Sequence, residues 1–139
     1  SPEHVFPYLA DMRNLPHWGE GITATRQING DAPAEDAIYR CTLGPDLPVI
    51  GGITGDYLMF SLEPNSSIFC RFESPLLQCE DTYVFTAETV DDCSAETLLS
   101  IRDVLTPPPL MSLASAILAP LIRAQIEKDC ENLKRELAK

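Results

Sequence analysis

The sequence predicts an α+β domain in which a long C-terminal helix covers the apolar face of an antiparallel sheet. Three observations carry this expectation. Apolar residues recur at helical spacing at the start, short apolar runs cut by turn residues fill the middle, and a sustained amphipathic pattern closes the chain. A chain of 139 residues with 45% hydrophobic content is the size of one ordinary domain and can bury one core, so a single domain over 1–139 is expected.

Ser1-Pro2 reads as an N-cap followed by a first helical position, because a serine hydroxyl accepts an orphan N–H and proline lacks the N–H that position would waste. Val5, Phe6 and Leu9 then share one helical face, and Met12 extends it. Asp11 can cap a second short turn through "MRNLP", with Pro16 limiting how far that turn runs. From "GITATRQING" onward the character changes, and "AIYRCTL", "GDYLMFSLE", "SIFCRFESP", "CEDTYVFTAET" and "AETLLSIRDVL" read as strands. Their separators are rich in Gly, Pro, Asp, Asn and Ser, and most are short enough for hairpins, so a meander of about six strands is expected. After "TPPP", whose prolines stop a strand, the chain reads as helical. Leu118, Ile122, Ile126, Cys130, Leu133 and Leu137 follow at three- or four-residue steps, and the charged residues between Glu127 and Glu136 take the remaining surface. Pro120 either kinks one continuous helix or opens a second one, with a change of axis expected near Ala119.

Composition excludes several classes of partner. A formal net charge of -11 and a pI near 4.4 oppose binding to nucleic acid or to an anionic membrane surface, since Lys and Arg are what displace phosphate counterions. The five cysteines are odd in number, with no C-x-x-C pair and no histidine at zinc spacing, so reduced thiols in a cytoplasm are expected. The longest apolar-rich stretch, "LMSLASAILAPLI", is well short of the ~20 residues a membrane span needs, so no stable membrane insertion is expected.

The order of elements and the opening "PEHVFPYLADMRNLPHW", with Asp11, Asn14, Pro16 and Trp18, resemble the START-like (SRPBCC) superfamily, in particular its polyketide cyclase/dehydrase and lipid-transport branch. "GDYLMFSLEPNSSIFCRFESP", "DTYVFTAE" and the closing "IEKDCENLKRELAK" stand where that superfamily has its central strands and C-terminal helix. The resemblance implies a helix-grip fold: a curved antiparallel sheet wrapped around the long C-terminal helix, two short helices near the N-terminus, and a cavity between sheet and helix. Members normally carry a first strand ahead of the first helix. That usual first strand is absent from these 139 residues, so the chain is expected either to be part of a longer protein or to take the missing sheet edge from elsewhere.

Alternation along the strands groups Tyr39 with Cys41, Tyr57 with Met59, Cys70 with Phe72, Tyr83 with Phe85, and Asp103 with Leu99 and Ile101. A tyrosine with an apolar body and a polar tip suits a cavity that holds one end of a greasy ligand, and simple core filling is the alternative for each. The ligand-binding candidates are Trp18, Tyr39, Tyr57, Phe72 and Tyr83, joined by Met111, Leu118 and Ile122 of the closing helical region. Arg71 and Arg102 alternate away from the apolar set and are expected at the surface, as are His4 and His17. Asp103 shares its face with apolar residues, which is costly unless it is paired or has a purpose. No G-x-S-x-G, phosphate-binding loop or metal-ligand spacing is present, so no metal and no cofactor are expected.

The expected function is binding or transport of a small hydrophobic or amphipathic ligand in that cavity. The alternative is a polyketide aromatase/cyclase or dehydratase acting in the same place, with Asp103 and Tyr83 as the acid/base pair. Between Leu110 and Ile122 nearly every residue is apolar or small, which suggests a mobile cover over the cavity mouth with Met111, Leu118 and Ile122 turned to the ligand. A homodimer contact burying that surplus face is the competing use.

Overall fold

The computed structural model describes residues 1–19, 21–44, 52–75, 78–91, 94–106 and 115–139. Helix α1 (Pro2–Ala10) begins at the predicted N-cap, Ser1. The Ser1 carbonyl accepts from the His4 and Val5 amides at 3.0 and 3.1 Å, while its hydroxyl makes no capping bond. Asp11 does cap, its carboxylate accepting from the Arg13 amide at 3.1 Å and opening a short 3-10 turn over Met12–Asn14. Helix α2 (Leu15–Trp18) follows at once. Pro16 lies in the first turn of α2, where a missing N–H costs nothing, so it starts this turn rather than limiting the previous one.

The six expected strands form one antiparallel sheet in sequence order. They are β1 (Ile22–Gln27), β2 (Ile38–Leu43), β3 (Thr54–Glu63), β4 (Ser67–Glu73), β5 (Gln78–Asp91) and β6 (Ser94–Thr106). Register follows the predicted alternation: Tyr39 opposes Tyr57, Tyr57 opposes Phe72, Ile68 opposes Tyr83, and Tyr83 opposes Ile101, so one face carries the buried set. The ladder slips between Ile22 and Ala24, between Met59 and Ser61, and between Thr89 and Asp91. Each inserted residue raises the local twist and bends its strand, which is how the sheet curves.

The concave face is closed from two sides. Phe6 of α1 meets Phe85 of β5 edge to face, with ring centres 5.6 Å apart, and Leu9 and Met12 are buried beside it. Helix α3 (Ser115–Leu137) is one continuous helix through Pro120, the first of the two alternatives at that residue. Its Leu133 is only 3% exposed, and the Asn132 Nδ2 donates to the Trp18 carbonyl at 3.2 Å, tying α3 to the end of α2. The opposite face of the sheet carries the ion pairs. Arg40 meets Asp56 at 3.0 Å, and Arg71 meets Glu80 at 3.0 Å while lying 4.9 Å over the Phe60 ring. Arg102, His4 and His17 are exposed, as expected. Among the described residues no helix is long and apolar enough to cross a membrane.

Candidate functional site

A cavity of about 160 Å³ lies between the concave sheet face, α2 and α3. Tyr57, Phe72 and Tyr83 present rings to it from β3, β4 and β5, and Ile101 extends the same wall on β6. Trp18 at the end of α2 closes one side. Ile126 and Cys130, one turn apart on α3, form the roof with Asp129.

The wall has this shape because one residue of β3 has no side chain. A Cβ on Gly55 would stand 2.4 Å from Phe72 Cζ and 2.7 Å from the Glu73 carbonyl oxygen, closer than such atoms approach. Glycine at that place lets the Phe72 ring lie across β3, where it meets Tyr57 with ring centres 5.1 Å apart. The aromatic wall therefore depends on a backbone approach that alternation alone does not reveal.

At one end of this wall the polar groups converge. Asp81 of β5 and Asp103 of β6 are directly opposite in the ladder, and their carboxyl groups hydrogen-bond to each other. The Cys79 Sγ donates to Asp81 Oδ1 at 3.1 Å. Asp81 is 4% exposed, the one buried charged side chain among the described residues. Burial first, then the bond to Asp103 and its like charge, hold the Asp81 carboxyl well above the usual carboxylate range. Asp81 therefore keeps a proton that an exposed aspartate would lose, and its hydrogen bond joins it to Asp103.

That proton and the burial around it set the state of the neighbours. The Tyr57 and Tyr83 phenols are raised, chiefly by burial and then by Asp81, so both remain neutral hydrogen-bond donors. Burial followed by Asp81 also pushes the Cys70 and Cys79 thiols up, and burial followed by Asp129 does so for Cys130. None of these thiols is a ready thiolate nucleophile at neutral pH. The Cys79 sulfur and one carboxylate oxygen each from Asp81 and Asp103 lie within 4.8 Å of one another, a spacing compatible with a divalent cation.

The structure brings together Trp18, Tyr57, Phe72, Tyr83 and Asp103 of the residues singled out from the sequence. Tyr39 stands elsewhere. It is fully buried near Asp11 and Arg13, under the N-terminal helices, and its hydroxyl has no hydrogen-bond partner among the described residues. It shares the concave face but lies too far along it to reach the cavity wall, so its ring fills core. Met111 lies outside the described residues, as do the side chains of Leu118 and Ile122 and most of the expected cover from Leu110 to Ala119. Sequence reasoning missed Asp81, Cys79, Gly55 and Asp129. A signal existed for the first two, which continue the Tyr83 and Phe85 face backwards at two-residue steps.

No protein-family model matches this sequence, and no curated protein matches it. Solved structures do match. A START superfamily protein from Mycobacterium smegmatis superposes with a TM-score of 0.73 at 15% identity, covering 99% of this chain and 91% of the other. A conserved protein from Geobacillus kaustophilus gives 0.65 at 15% identity, covering 99% and 88% of the two chains. A protein from Chromobacterium violaceum gives 0.61 at 18% identity, covering 99% and 90%. Likeness at such identities speaks for the fold.

Proposed function

We propose, from the START-like helix-grip fold that this chain has, that the domain binds a small amphipathic molecule in the cavity between sheet and α3. One observation carries the reading: a largely aromatic and aliphatic space of about 160 Å³ with Asp81, Asp103 and Tyr83 converging on one end. The volume is close to the ~150 Å³ cavity that admits benzene, and below the roughly 300–1,000 Å³ of sites for drug-sized ligands. A compact body of about one ring therefore fits the described walls better than a whole acyl chain. Its apolar part would lie on Phe72 and Trp18, and its polar end would meet the carboxyl pair and the Tyr83 hydroxyl. The free thiols Cys41, Cys70, Cys79 and Cys130 support a reducing, cytoplasmic setting.

Trp18 is the single tryptophan and stands on the cavity wall, so its fluorescence reports occupancy directly. A ligand present at a hundred times its Kd stabilises the fold by about 2.7 kcal/mol, an easily read thermal shift. Native mass spectrometry of the purified protein, followed by a thermal-shift and fluorescence screen of small ring compounds, tests the reading. No co-purifying molecule and no responding compound would sink it.

A second reading, cyclisation or dehydration of a reactive polyketide-like chain, draws on the protonated Asp81 carboxyl near Tyr83. A protonated carboxyl in a dry site can protonate a leaving hydroxyl or polarise a carbonyl. Full turnover of a confirmed substrate by both Asp103→Asn and Tyr83→Phe would remove it.

A further inference from the structure

Resting on the cavity reading above, we propose that the ligand is a small protonated amine with an apolar, ring-sized body. The carboxyl groups reach the cavity from both sides: Asp81 and Asp103 from the sheet, Asp129 from the facing helix. No Lys, Arg or His stands among the described lining residues. A ligand carrying a carboxylate would be desolvated beside the carboxyl groups of Asp103 and Asp129, with no cationic side chain among the described lining residues to offset the cost. An ammonium has three donors and no acceptor, the complement of a wall supplied with carboxylate oxygens.

The rest of the lining suits the same ligand. Trp18, Tyr57, Phe72 and Tyr83 offer ring faces and edges around the carboxyl pair, and a cation beside such faces is attracted by their electron-rich surfaces. The apolar body has a defined place as well, since Ile101 and Ile126 close the space from sheet and helix. The 160 Å³ volume between the described walls suits a body of about one ring.

The test compares benzylamine, benzyl alcohol and benzoate, which share one body and differ in head charge, by Trp18 fluorescence at neutral pH. Benzylamine is expected to bind roughly tenfold more tightly than benzyl alcohol, the usual scale for a charge-assisted hydrogen bond, and benzoate to bind more weakly than either. If benzyl alcohol or benzoate binds as tightly as benzylamine, the amine class falls and the cavity reading stands. If none of the three binds, the amine class falls, and the cavity reading is decided by the native mass spectrum and the ring-compound screen. In the double variant Asp81→Asn, Asp103→Asn, which leaves Asp129 in place, the amine-to-alcohol ratio is expected to fall severalfold, and an unchanged ratio would overturn the proposal. Should that variant fail to fold, the three-probe comparison on the unaltered chain decides alone.

Discussion

Replacing Asp81 by asparagine measures what the proton held by the buried Asp81 costs the fold. An asparagine keeps the shape, can accept from Cys79 and can donate to Asp103, but it has no proton to lose. The folded pKa of Asp81 is raised, whereas in the unfolded chain an aspartate titrates near its ordinary value of about 3.9. Below about pH 4 both states hold the proton and the stability that this group contributes is fully present. As pH rises the unfolded chain releases a proton that the folded chain keeps, and that contribution is lost progressively until the folded pKa is reached. The loss is about 1.4 kcal/mol for each pH unit in this window. Relative to the unaltered protein, Asp81→Asn should therefore gain about 1 kcal/mol between pH 4 and 5, where the unfolded group is still partly protonated, or roughly 3–4 °C in Tm for a chain of this length. Urea unfolding followed by Trp18 fluorescence from pH 3.5 to 6.5 reads the difference. Asp103→Asn, which removes the neighbouring charge, should make the pH dependence level off earlier. A difference between Asp81→Asn and the unaltered protein that stays constant across the range would mean that Asp81 ionises in the fold as it does in water, and the reasoning from its burial would be refuted.

Other consequences can be checked separately. Gly55→Ala forces a Cβ against Phe72 and the Glu73 carbonyl and should cost about 1–3 kcal/mol in chemical denaturation; a cost near zero would show that Phe72 is not held where described. Leu133→Ala opens a cavity under α3 and should cost about 2–5 kcal/mol, with hydrogen exchange accelerated along 126–137; unchanged exchange there would mean that Leu133 does not anchor the helix. The buried thiols should resist iodoacetamide at pH 8 until the chain is unfolded, since burial raises Cys41 to about 11 and Cys70 higher still than its ordinary value; fast labelling of the folded protein would contradict this. Arg71→Ala removes a surface ion pair with Glu80 and should change stability by no more than about 1 kcal/mol, and a larger loss in urea titration would show the outer face to be more cooperative than its exposure suggests.

The elements themselves were legible because each is a local pattern. Ser1-Pro2 starts a helix, Asp11 caps a turn, six apolar runs cut by turn residues make six strands, and the Ile126, Cys130 and Leu133 spacing places one face of α3 against the sheet. Strict alternation also assigned Tyr57, Phe72, Tyr83 and Asp103 to the inner face, and Arg71 and Arg102 to the outer one. Tertiary structure decided which part of that face is cavity and which is core. Tyr39 and Tyr57 are opposite each other in the ladder, yet only Tyr57 lines the space: Asp11 and Arg13 of the turn after α1 lie by Tyr39, while Tyr57 faces the space bordered by Trp18 and α3. The pairing of Asp81 with Asp103 was likewise beyond local pattern. Alternation can place each aspartate on a face, but whether the two meet depends on strand register, and a slip of one residue on either strand would turn one of them to solvent. Register is set by the hairpins and bulges acting along the whole sheet, and the raised pKa of Asp81 comes first from burial in a site that a helix remote in sequence helps to line.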